Sequence, residues 1–185
     1  MNTNQPSTEF EPDQCVSMKR NIDATKFLAL VSDYHKTMVG VDIIIPILPW
    51  MQTDSPEHIV ELAKENYILA VDDDRTIIDR ELESYADQGF VIIIARDTRS
   101  AMAIVRQFGI PRVLALDYYL AGGHSIESFI ERFDMHLFRS NEKRHPQFNF
   151  YAHSGDFVKR EKTYKIMNEV AVRHNLINHP EPIKA

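Results

Sequence analysis

The segment YILAVDDDR, residues 67–75, decides the fold predicted for this chain. It begins with a continuous apolar run, whereas a strand with one face in water alternates apolar and polar side chains. The run ends at consecutive aspartates, and a helical pattern follows over about Arg75–Asp87. This order predicts a strand that is buried on both faces and is followed by a helix.

The same order recurs further along the chain. The later apolar runs are FVIIIA (90–95), VLAL (113–116) and FNFYA (148–152). The helical patterns after them cover about Thr98–Phe108, Ser125–Phe138 and Lys159–His174. Strand–helix units of this kind are joined by right-handed crossovers, so we expect residues 66–175 to form an α/β domain with a small doubly wound parallel sheet.

Both ends of the chain are predicted to lie outside this domain. Residues 1–20 are polar and show little apolar periodicity, a composition that is typical of a flexible tail. Residues 176–185 follow the last predicted helix, and we expect a C-terminal tail there.

Residues 21–65 are predicted to form an N-terminal helical extension. One helix is expected from the N-cap Asp23 to about Gly40, and another over about Pro56–Lys64. Between them, Pro46 and Pro49 interrupt the apolar run VDIIIPILPW. Because proline cannot donate a backbone hydrogen bond, this run favours an edge strand or a packed extended segment over a central strand.

The composition excludes several classes of protein. Lys and Arg number 21 against 27 Asp and Glu, a net charge of -6, which argues against a broad DNA-binding surface. The single cysteine, Cys15, excludes an internal disulfide and a cysteine metal cage. No apolar run approaches the ~20 residues that span a bilayer, so no membrane association is expected. The polar N-terminus lacks the features of a secretory signal, which predicts a cytoplasmic protein.

Carboxylates follow two of the predicted strands. Asp72 and Asp73 come directly after the first buried run, and Asp117 follows the third. The carboxyl ends of parallel strands meet at one edge of a sheet, and oxygen ligands placed there suit Mg²⁺ or Mn²⁺. These residues are therefore predicted metal ligands, although solvated loop aspartates would give the same sequence. Asp74 is more typical of a helix N-cap.

Histidine and serine follow the fourth predicted strand. His153 would accept or donate a proton, and the Ser154 hydroxyl would bind a phosphoryl oxygen. Arg160 lies among basic residues near the start of the last predicted helix, where it is suited to a bidentate phosphate contact. A structural histidine, a turn serine and a solvated basic helix face are the alternatives.

The order of these motifs resembles that of a known family. Val71–Arg75, Ala95–Ala101 and Tyr151–Ser154 resemble the motifs of the cyclic-phosphate-processing receiver domains, a group within the receiver superfamily of response regulators. The resemblance covers about Tyr67–Val170 and implies a receiver-like, flavodoxin-like fold.

The resemblance also implies a reaction, which is the hydrolysis of a cyclic phosphate in a nucleotide or at an RNA end. Divalent metal ligands would be Asp72, Asp73 and Asp117, and the implied catalytic residues are Asp117, His153 and Ser154. The ligand's phosphate would be bound by Arg75, Ser154 and Arg160.

Two departures, one from this family and one from ordinary receivers, bear on the function. Tyr118 and Tyr119 stand where the family has a histidine and a second aspartate, and no lysine on a fifth strand is found. A catalytically degenerate receiver-fold protein that binds a protein partner or forms a homodimer would fit these changes, with Tyr118, Tyr119, Pro46, Pro49 and Trp50 as contact residues. The missing lysine makes a phosphorylated switch at Asp117 less favoured.

Overall fold

A computed structural model describes residues 21–30, 40–48, 51, 54–73, 82, 84–85, 87–120, 123–140 and 148–176. The predicted tail 1–20 lies outside these residues, as do most residues of the predicted helix that ends at Asp87. The helix predicted to run from Asp23 to about Gly40 ends at Ala29 in the described residues, with Leu30 as its C-cap. Of the predicted C-terminal tail, only Leu176 is described.

The described residues include both strands and helices. The strands are β1 (Asn21–Ile22), β2 (Ile43–Pro46), β3 (Tyr67–Val71), β4 (Val91–Ala95), β5 (Val113–Leu116), β6 (Tyr119–Leu120), β7 (His124–Ser125) and β8 (Asn149–Ala152). The helices are α1 (Ala24–Ala29), α2 (Pro56–Glu65), α3 (Thr98–Phe108), α4 (Glu127–Arg139) and α5 (Phe157–Arg173).

The central sheet has the strand order β1-β2-β4-β3-β5-β8. Strands β4, β3, β5 and β8 run parallel, whereas β2 is antiparallel to β4 and β1 is antiparallel to β2. The short strands β6 and β7 form a separate antiparallel pair. The chain therefore has an α/β fold with a mostly parallel central sheet, as predicted, and this architecture is compatible with a flavodoxin-like fold.

The parallel strands form the interior of the protein. Every residue of β3, β4 and β5 is buried, which explains why their sequences are continuous apolar runs. Helices α1 and α2 contact each other, and α2 packs on β3 and β4. Helices α3, α4 and α5 pack in series, and α3 also contacts β3 and β4. Because each buried aliphatic side chain contributes ~1.5–3 kcal/mol, this layer supplies much of the stability.

The segment predicted as a helical extension, residues 21–65, contributes strands as well as helices. Strand β2 lies between β1 and β4, so the predicted edge position is wrong. Its register with β4 covers Ile43 and Ile44, whereas Pro46 is paired with Asn21 of β1. The proline therefore lies beyond the residues that pair with β4, so its missing N–H does not interrupt that ladder.

The last helix begins earlier than predicted. Helix α5 starts at Phe157 instead of Lys159, because Asp156 caps it. The Asp156 Oδ1 atom accepts hydrogen bonds from the backbone N–H groups of Val158 at 2.9 Å and Lys159 at 3.2 Å. The first turn of α5 therefore lies close to the carboxyl end of β8.

No helix within the described residues has the length and apolar character needed to cross a membrane.

Candidate metal centre

Backbone hydrogen bonds align the residues that follow the parallel strands. The N–H groups of Asp72, Asp117 and His153 each donate to a carbonyl at the end of a neighbouring strand. The acceptors are Ala95 for Asp72 at 3.0 Å, Val71 for Asp117 at 3.0 Å and Leu116 for His153 at 2.9 Å. The parallel ladder thus continues one residue beyond β3, β5 and β8, and these residues lie in one row at the carboxyl edge of the sheet.

The predicted carboxylates come together in the structure. One oxygen from each of Asp72, Asp73 and Asp117 lies within 4.8 Å of the others. Asp72 is buried, with 8% of its surface exposed, and Asp73 and Asp117 are half-buried. Like charges at this separation repel one another strongly. These three carboxylates could hold a metal ion, which would offset that repulsion.

Asp117 is oriented by the residue that follows it. Its Oδ1 atom accepts a hydrogen bond from the Tyr118 backbone N–H at 2.7 Å. The bond fixes the direction of the carboxylate relative to β5. The orientation therefore comes from the backbone and does not depend on which side chain is present at position 118.

His153 and Ser154 follow β8 at the same edge, but in different surroundings. The His153 Nδ1 atom is 3.8 Å from Asp72 Oδ2, so the two side chains form an ion pair when the imidazole is protonated. The Ser154 Oγ atom accepts a bond from the Asp156 N–H at 3.4 Å in the turn before α5. The structure therefore brings His153 to the carboxylates and ties Ser154 to the start of the helix.

No described contact places either of the predicted phosphate-binding arginines, Arg75 and Arg160, beside the carboxylates. Arg75 lies outside the described residues. Arg160 is exposed, and its guanidinium carbon lies 5.3 Å from the centre of the Phe157 ring. Arg160 therefore contacts an aromatic ring of its own helix.

The Tyr118 side chain contacts α4 and α5. It is 8% exposed, and its hydroxyl donates to Glu127 Oε1 at 2.9 Å. The Lys159 ammonium donates to the same hydroxyl at 3.4 Å and lies 4.6 Å from the ring centre. Lys162 pairs with Glu127 at 2.7 Å. This hydrogen bond from Lys162 holds the pKa of Glu127 below its ordinary value, with a smaller contribution from Tyr118.

Arg96 is a cation at this edge that the sequence-based site prediction missed. It directly follows β4, is half-buried, and its Nη2 atom donates to the backbone carbonyl of Asp73. Its position immediately after a buried parallel strand is the signal that would have identified it, because the same signal identified the aspartates.

Comparison of the chain with protein-family models, with curated proteins and with solved structures finds no match. The chemistry of this edge therefore rests on the described residues themselves.

Replacing Asp73 by asparagine is expected to stabilise the metal-free protein. The change removes one of the mutually repelling charges, which we expect to raise the free energy of unfolding by about 1 kcal/mol. Urea unfolding in the presence of EDTA measures this effect. Glu169→Gln is the control, because it removes an exposed charge from α5. A destabilised Asp73→Asn protein would show that repulsion does not dominate at this position.

Replacing Glu127 by glutamine is expected to destabilise the protein near neutral pH but not in acid. Because the folded-state pKa of Glu127 is lowered, the stabilisation by its charge is present above its ordinary pKa of 4.5 and is lost as the pH falls through the lowered value. For a partly exposed pair we expect a loss of about 0.5 kcal/mol near neutral pH. Thermal unfolding followed from neutral to acidic pH checks this, and an equal loss across the whole range would contradict it.

Proposed function

We propose that this protein binds or hydrolyses a phosphate-containing ligand with the help of a divalent metal ion. The observation that carries the proposal is the convergence of Asp72, Asp73 and Asp117 within 4.8 Å at the carboxyl ends of β3 and β5. A cyclic phosphate in a nucleotide or at an RNA end is the ligand class we propose, from the resemblance of the motifs to the cyclic-phosphate-processing receiver domains.

The donor set suits Mg²⁺ or Mn²⁺. All the converging atoms are carboxylate oxygens, which hard divalent cations prefer. Such an ion stabilises charge on phosphoryl oxygens and makes a bound water a better nucleophile. The proposed ligands are Asp72, Asp73 and Asp117.

The strand order supports a receiver-like version of this proposal. Along the chain, β3, β4, β5 and β8 are the first to fourth parallel strands, and in the sheet they lie in the order second, first, third, fourth. Flavodoxin-like folds have this order and bind ligands where the order reverses, between the first and third strands. In this chain that point lies between β3 and β5, the strands that carry the carboxylates.

His153 is the proposed proton-transfer group. Its position 3.8 Å from Asp72 places the imidazole beside the carboxylates and orients it electrostatically. An imidazole is suited to donate a proton to the oxygen that leaves when a cyclic phosphate opens. Asp117 would act as a ligand or acceptor, and the Ser154 hydroxyl keeps a hydrogen with which to bind a phosphoryl oxygen.

Metal titration is the direct test of this function. We expect wild-type protein to bind Mn²⁺ in isothermal titration calorimetry, and Asp73→Ala and Asp117→Ala to abolish the binding. Glu169→Ala, which removes an exposed carboxylate elsewhere, is expected to bind as the wild type does. With cyclic nucleotides and Mn²⁺, His153→Gln is expected to keep metal binding and to lower turnover by roughly 10²–10⁴-fold. The absence of Mn²⁺ binding in the wild type would refute the proposal.

A second candidate function is self-association through exposed aromatic side chains. Tyr119 is 53% exposed and Phe157 is 63% exposed, and both follow the carboxyl ends of parallel strands. Exposed aromatic side chains provide large contact areas in protein interfaces. Tyr118 does not take part in this surface, because it is buried against α4 and α5. Of the other predicted contact residues, Pro49 and Trp50 lie outside the described residues.

On this second hypothesis, sedimentation equilibrium is expected to show a dimer that dissociates when Tyr119 and Phe157 are both changed to serine. The loss of aromatic contact area removes the main source of binding energy. Phe138→Ser is the control, because Phe138 is 83% exposed but lies near the end of α4. A monomeric wild type would refute self-association.

A further inference from the structure

The charge of the proposed centre is not balanced by a divalent ion alone. Asp72, Asp73 and Asp117 carry three negative charges when ionised, and one divalent ion offsets two of them. A phosphate ligand adds at least one further negative charge. Because opposite charges must be close to offset the repulsion, a phosphate bound at this edge needs a protein cation beside the carboxylates.

The basic side chains near the start of α5 have other partners. Lys159 lies over the Tyr118 ring, Lys162 pairs with Glu127, and Arg160 lies against Phe157. Moving any of them to a phosphate would break a contact that the structure records. They are therefore poor candidates for the missing cation, and His153 beside Asp72 is a cation only when its imidazole is protonated.

Arg96 meets the requirement. It follows β4, the strand beside β3, and its Nη2 donates to the carbonyl of Asp73, so the guanidinium spans from one strand end to the next. Its backbone N–H donates to the Asp42 carbonyl at 3.2 Å, which anchors the residue from the side of β2. A guanidinium has five N–H donors. Within the described residues, the side-chain hydrogen bond to the Asp73 carbonyl uses one of them, on Nη2.

We propose that Arg96 binds the phosphate group of the ligand, beside the divalent ion held by the aspartates. This inference rests on the proposed function and assigns the anion-binding role to a residue outside the predicted set of Arg75, Ser154 and Arg160. The planar fork of donors matches two oxygens of one phosphate group. Arg96 thus selects an anionic ligand, and the carboxylates bind the metal ion that accompanies it.

The test separates metal binding from anion binding. Wild type and Arg96→Gln are titrated first with Mg²⁺ and then, at saturating Mg²⁺, with inorganic phosphate. Removing a cation beside carboxylates does not weaken their attraction for a metal ion, so Mg²⁺ affinity is expected to stay the same or to rise. Phosphate affinity is expected to fall by at least about tenfold, the usual effect of losing a charge-assisted hydrogen bond.

Two further variants sharpen the comparison. Arg106→Gln removes an exposed cation from the last turn of α3, at the other end of the helix that follows Arg96, and is expected to change neither affinity. Arg96→Lys keeps the charge but loses the fork, and its phosphate affinity is expected to lie between those of the wild type and Arg96→Gln. Circular dichroism of each variant verifies that it is folded.

Each remaining outcome overturns this inference, and the last one overturns the proposed function as well. If Arg96→Gln loses Mg²⁺ and phosphate binding together, Arg96 only positions the Asp73 backbone, and the proposal is wrong. Unchanged phosphate affinity in Arg96→Gln also overturns it. A wild type that binds Mg²⁺ but not phosphate overturns this inference and leaves the metal site standing. A wild type that binds no Mg²⁺ overturns the proposed function and this inference with it.

Discussion

The backbone hydrogen bonds that continue the parallel ladder beyond β3, β5 and β8 hold the candidate site together. They align Asp72, Asp117 and His153 at one edge, even though the carboxylates among them repel one another. Backbone bonds do not depend on the charge of the side chains. The apolar burial of the strands therefore stabilises an arrangement that its charged groups oppose.

Much of the fold could be predicted from the sequence because the sheet is buried on both faces. Burial of both faces requires continuous apolar runs, and these mark β3, β4 and β5, whereas β8 is only partly buried. The place of β2 could not be predicted in the same way. Proline excludes a full ladder, but only the register shows that the β4 pairing ends before Pro46. Likewise, the start of α5 depends on a cap by Asp156 that apolar periodicity does not reveal.

The candidate site, like the fold, could be predicted from the sequence only in part. The meeting of Asp72, Asp73 and Asp117 was predictable, because the topology of a parallel sheet brings the ends of its strands together whatever the details of packing. The hydrogen-bond partners of individual side chains could not be predicted. The position of Arg96 after β4 could be recognised in the sequence, but its bond to a backbone carbonyl could not, because every residue has such a carbonyl. The position of Tyr118 directly after Asp117 led to its prediction as a contact residue at this edge. In the structure its hydroxyl donates to Glu127 of α4.

Strand β2 restrains the carboxyl end of β4 at this edge of the sheet. Without it, β4 would be the outermost strand of the parallel set, and its carboxyl end would be anchored on one side only. With β2 in place, β4 is held on both sides, and the Asp42 carbonyl bonds to the chain at Arg96. The backbone there has already lost its conformational entropy on folding, so a ligand that binds does not have to restrain it again. The N-terminal segment thus preorganises an edge to which it contributes none of the proposed ligands.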